Sequence, residues 1–256
     1  ASSGAKASGA NTVSIAGQSA ASGANAIAIG RKSTASQTSA IALGDSGTAS
    51  GAQAIAIGEN SLASGTNSTA FGFGAKATSI KDYAAGTDAQ AVGGFGTAIG
   101  SNAYADGGGI NGGSSASAIA IGPDARATSG LTGNSAIAMG EKAWAVKSGI
   151  AIGYNAQATQ DAAVALGWGA NAVDSKSGIA IGDRANATGD YAIAIGGGVD
   201  KTATTANGAG ALAMGSGSKA DGTGAVAFGG LGGEKGGSVA NKDFAVAIGA
   251  ASQATN

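Results

Sequence analysis

Gly215-Ser216-Gly217-Ser218-Lys219 has the glycines, hydroxyls and lysine with which a loop could cradle a phosphate. It lacks the spacing of a phosphate loop and a helix pattern after it. A repeat running through the whole chain accounts for every one of its residues. Gly93-Gly94-Phe95-Gly96 has half of a calcium-binding glycine-rich nonapeptide, but the required aspartate does not follow. The 15 acidic residues show no paired-carboxylate constellation of the kind glycoside hydrolysis needs. His and Cys are absent from all 256 residues. That removes the usual ligands of zinc, haem and iron–sulfur clusters. It also removes the base or nucleophile of Ser-His-Asp and Cys-His machinery. The sequence therefore predicts no enzyme, no cofactor and no metal site.

Composition narrows the class further. A chain that is 43% hydrophobic with net charge -1 is a poor fit to disorder. The 49 glycines argue against long helices, and their irregular placement with a single proline argues against collagen. Near-zero charge gives no electrostatic reason to expect nucleic acid. No apolar run approaches the roughly 20 residues of a membrane span.

The elements that remain come from a period. Ala26-Ile27-Ala28-Ile29-Gly30 returns as Ala40-Ile41-Ala42-Leu43-Gly44 and persists to Ala245-Val246-Ala247-Ile248-Gly249. The closing position falls at 16, 30, 44, 58, 72, 86, 100, 122, 140, 153, 167, 182, 196, 215, 229 and 249, with Ala16 the only non-glycine. The first six steps are each 14 residues, since 100 − 16 = 6 × 14. Five residues after most closing positions stands an alanine, as in Ala35, Ala49 and Ala63. After Gly196 and Gly229 that role is expected of Ala203 and Ala240. The first word alternates large and small with period two, as a strand does. The second is a strand with one variable, wet face. Two short strands and two turns make one coil of a parallel roll, with coils stacked at about 4.8 Å. The whole of 1–256 is expected to be one all-β repetitive domain of 16 coils.

Two facings of the first strand are open. In one, the bulky row fills the interior opposite Ala35, Ala49 and Ala63. The row Ala26, Ala28, Ala40, Ala42, Ala54 and Ala56 then forms an apolar stripe for association with further copies around an axis. In the other, isoleucine faces outward and alanine fills the core. Self-association is expected, with the alanine row of the first facing taken as the interface.

Insertions interrupt the period near 106–115, 130–133, 197–210 and 230–237. Such loops often carry function, so Leu231, Glu234 and Lys235 are candidate ligand contacts. The aromatics Tyr104 and Trp144, at variable outward sites, and Tyr154 and Trp168, directly after closing glycines, are further candidates.

Asn25-Ala26-Ile27-Ala28-Ile29-Gly30 with the following Thr34-Ala35-Ser36, repeated in phase, resembles the head repeats of YadA-like trimeric autotransporter adhesins. The resemblance spans nearly the whole chain. It implies a left-handed parallel β-roll, three chains around one axis, and display on the surface of a Gram-negative bacterium. It also implies attachment to host cells or extracellular matrix. No neck, heptad stalk or C-terminal anchor pattern is visible. The sequence therefore reads as an excised head, tethered to the outer membrane through segments outside it. A structural spacer, with adhesion located elsewhere, is the alternative. An ice-binding solenoid fits less well, because Thr202-Ala203-Thr204 is the only clear Thr-x-Thr.

Overall fold

A computed structural model describes residues 4–108, 116–130, 134–198, 203–230 and 236–255. The chain divides into two compact units, Ala1–Ser135 and Ala136–Asn256. Each is a parallel β-solenoid, with about 16 turns in the chain altogether and no helix among the described residues.

In the first unit the two words become two strands per coil. Strand Ile27–Ile29 is followed by strand Thr34–Ala35, and one coil later by Ile41–Leu43 and Thr48–Ala49. Pairing is parallel and like meets like. Ile27 pairs with Ile41, Ala28 with Ala42 and Ile29 with Leu43. Thr34 pairs with Thr48 and Ala35 with Ala49. The second unit repeats the pattern: Ile150 pairs with Val164, Ala151 with Ala165 and Ile152 with Leu166. Turns are stitched between coils as well as strands. The N–H of Ser39 donates to Ala24 O at 2.8 Å, and that of Ser46 to Arg31 O at 2.8 Å. Such a ladder satisfies the buried backbone groups that two- and three-residue strands could not satisfy alone.

The corners explain the glycines. Gly30, Gly44, Gly58 and Gly72 have φ between 129° and 133°, a region that only glycine occupies readily. Ala16, in the terminal coil, relaxes to φ 88°. In a few coils the residue three places on is a buried serine that returns a hydrogen bond to the closing residue's carbonyl, as Ser33 does to Gly30 at 2.8 Å and Ser61 to Gly58 at 2.8 Å.

The core decides between the two facings. Ala26, Ala28, Ala40, Ala42, Ala54 and Ala56 are fully buried inside the single chain, as are Ala35, Ala49 and Ala63. The alanine row is therefore the interior of the roll, and its expected role as an association surface is corrected. The bulky row points outward, with exposures such as 37% for Ile29 and 40% for Ile152. The reason is the size of the coil. Fourteen residues make a narrow coil, and strands this short leave little room between its two sheets. The space between them is filled by small side chains, mostly alanine methyls. A second correction concerns the coil after Gly196. Ala206, paired with Ala187, is the buried alanine there, and Ala203 is only half-buried. Ala240 takes its expected place opposite Ala220.

Candidate functional site

Two kinds of outward surface follow from this arrangement. The first is the face of the three-residue strands. Pleating sends their middle residue inward and their first and third residues outward. Along the chain those outward positions carry no charged residue. They run as paired aliphatics such as Ile55 and Ile57 in the first unit, and Ile179 and Ile181 in the second. Exposed apolar surface of this kind is what interfaces are commonly built from.

The second lies on a corner of the second unit. Tyr154 and Trp168 each directly follow a closing glycine, in turns one coil apart. Coil spacing brings their rings into a stack, 5.8 Å between centroids and 10° from parallel. Cations extend the column at both ends. The Arg184 guanidinium lies 4.3 Å from the Trp168 ring centroid, and Lys142 Nζ lies 5.7 Å from that of Tyr154. Lys142 Nζ is also 3.3 Å from Glu141 Oε1. A stacked pair of this type contributes about 0.5–1.5 kcal/mol beyond area burial, and each exposed cation–π contact about 0.5–1 kcal/mol. The faces of Trp168 are engaged by Tyr154 from the preceding coil and Arg184 from the following one. The rims of the rings stay open to solvent, with exposures of 40% for Tyr154 and 46% for Trp168.

The other predicted contacts are separate. Trp144 projects from the outward row of the two-word coil's second sheet, beside Gln157 of the next coil, and is exposed. Tyr104, in the first unit, is half-buried, with the Arg126 guanidinium 5.0 Å from its ring centroid and its Oη 3.4 Å from Asp106 Oδ2. Burial and the neighbouring Asp106 charge hold its phenol above the ordinary range. Leu231, Glu234 and Lys235 lie outside the described residues, as do 109–115, 131–133 and 199–202 of the other insertions. The glycine-serine-lysine stretch forms no phosphate cradle: Lys219 starts a strand and pairs with Val239.

Sequence reasoning missed the cations of the column. They stand two residues after their closing glycines, whereas the rings stand one after. It also missed Asp82, a carboxylate buried in a row otherwise filled by small residues. Its two oxygens accept the N–H of Ser79 at 2.7 Å and of Gly96 at 2.9 Å. Burial nonetheless pushes its pKa up, against the pull of these backbone donors. Among the described residues, no cluster of three or more metal-ligating side chains occurs. No described helix is long and apolar enough to cross a membrane.

A repetitive solenoid with an uncharged apolar face and exposed aromatic corners defines a contact module. The profile described as YadA head domain repeat (2 copies) matches residues 21–46, 49–75, 147–170, 175–198 and 206–231. The chain belongs to this family, as a head domain of the YadA-like trimeric autotransporter adhesins, and is an adhesin-type surface protein. No curated protein matches the chain significantly.

Proposed function

We propose that this chain attaches a bacterium to host cells or extracellular matrix by multivalent, non-catalytic binding. Three copies associate through the isoleucine face, in a left-handed roll displayed outside a Gram-negative outer membrane. The uncharged outward row carries this reading. Isoleucine left this exposed along one sheet is stabilised only by a partner, and copies of the same chain bring a matching face. Self-association also multiplies each weak surface contact, raising avidity without strong individual sites. With the isoleucine face occupied, corners and the second sheet meet the ligand, and the Tyr154–Trp168 column is the richest of these surfaces.

Binding of the purified protein to immobilised matrix proteins and glycans tests the reading, beside the variant Tyr154→Ala/Trp168→Ala. Sedimentation of both reports association. The expected outcome is a trimer in each case, with binding weakened at least several-fold in the variant. Absence of binding up to tens of micromolar would favour a spacer instead. Equal binding by parent and variant would remove the column as the contact.

A further inference from the structure

The apolar outward face has one interruption, in the first unit. Its first outward position is Ile, Val or Leu in every coil except three consecutive ones, where Thr69, Tyr83 and Thr97 stand. They begin the strands Thr69–Phe71, Tyr83–Ala85 and Thr97–Ile99. Thr69 is the register partner of Tyr83, and Tyr83 of Thr97. The three hydroxyl-bearing residues therefore form one ladder, with Tyr83 41% exposed. The second outward position changes in the same coils, from Phe71, 55% exposed, to Ala85. The residues just before these strands also depart from alanine: Ser68, Asp82 and Gly96. The Asp82 carboxylate ties its own coil to the next through Ser79 and Gly96. It fixes the backbone on which Tyr83 and Thr97 stand.

An otherwise apolar face, isoleucine in most coils, has a weakness as an association surface. Sliding one copy by a coil replaces isoleucine against isoleucine with the same contact. Apolar packing alone opposes such slippage weakly, as in any monotonous pattern. A short polar block changes this. In register, hydroxyls meet hydroxyls. After sliding, they meet aliphatic side chains and lose their partners, which is unfavourable once buried. We propose that Thr69, Tyr83 and Thr97 set the axial register in which copies of this chain associate. The proposal rests on the reading of the isoleucine face as the self-association surface. A second copy is the fitting occupant because the face has no charge to recognise another partner. Only a copy brings hydroxyls to the same height.

The natural absence of cysteine allows a direct test. Chains with Ile57→Cys, oxidised, should form disulfide-linked dimers in high yield. Differently tagged chains with Ile29→Cys and Ile57→Cys, coexpressed, should form few mixed disulfides. Two coils separate these positions by about 10 Å, beyond the roughly 7 Å limit between bridged Cα atoms. In a Thr69→Ile/Tyr83→Ile/Thr97→Val background, sedimentation should show association retained. Same-position linkage should fall several-fold and mixed disulfides should rise. Tyr83→Phe, which removes one hydroxyl and keeps the ring, should give a smaller change in the same direction. A triple variant with the parent's cross-linking pattern overturns the proposal, and so does one that no longer associates although its circular dichroism is unchanged. A parent that sediments as a monomer overturns the self-association reading itself, and the proposal with it.

Discussion

Gly58→Ala is the sharpest perturbation of the coil. Gly58 sits at φ 133°, and a Cβ there would lie 2.6 Å from the carbonyl carbon of Gly72, closer still to its oxygen. Both obstacles are backbone, so no side chain can swing aside. Holding a non-glycine residue in a sparsely populated region costs about 1–3 kcal/mol. Overpacking against a fixed neighbour adds about 1–3 kcal/mol. The expected loss is therefore about 2–6 kcal/mol on these combined scales. Gly47→Ala is the internal control. Its Cβ would meet Gly58 O at 3.3 Å and Ser61 Oγ at 3.4 Å, in a corner where the next coil carries Ser61. That change should stay within about 1 kcal/mol of the parent. Urea denaturation followed by circular dichroism, at one protein concentration because association is coupled to folding, measures both. Equal midpoints for Gly58→Ala and the parent would refute the corner argument, as would equal losses in the two variants.

Asp82→Ala should destabilise by about 1–3 kcal/mol for each backbone donor it orphans, seen as a lower urea midpoint. Burial raises the folded-state pKa of Asp82 above its ordinary 3.8. The stability it contributes is thus fully present below that value and declines as pH rises through the folded pKa. The parent's advantage over Asp82→Ala should accordingly be larger at pH 3.5 than at pH 7, and an advantage growing with pH would contradict the burial argument. Ile55→Lys places a charge in the outward apolar row and should weaken self-association at least tenfold by sedimentation, with the circular dichroism spectrum unchanged. Trp168→Ala should lower stability by only about 1–2.5 kcal/mol, since it removes one stacked pair and one cation–π contact, and thermal unfolding reads this directly.

Much of the fold was legible because the period is nearly fixed and each word has one job. The closing glycines, the buried Ala35 row and the corner placement of Tyr154 and Trp168 all follow from counting. The facing of the first strand did not, because alanine and isoleucine are both apolar and alternation alone does not choose between them. The choice is made by the room inside the coil, which the burial of the alanine row reveals. Ala203 differs from the buried Ala206 because the insertion after Gly196 shifts the phase of the count. The cations of the column escaped notice because successive steps of 13, 14 and 15 residues separate Gly140, Gly153, Gly167 and Gly182. Asp82 was hidden for another reason. Counted along the chain, it occupies a small-residue position, and only the structure shows backbone donors aimed at it.

The alanine interior has a calorimetric consequence. A methyl group hidden on folding removes far less apolar area from water than an isoleucine would. Unfolding a single roll should therefore expose little hydrocarbon. Its heat-capacity increment should fall below the usual 12–15 cal/mol/K per residue or so. A small increment flattens the dependence of free energy on temperature. A head built this way keeps its shape over a broad thermal range, held more by its ladder of main-chain bonds than by an oily centre.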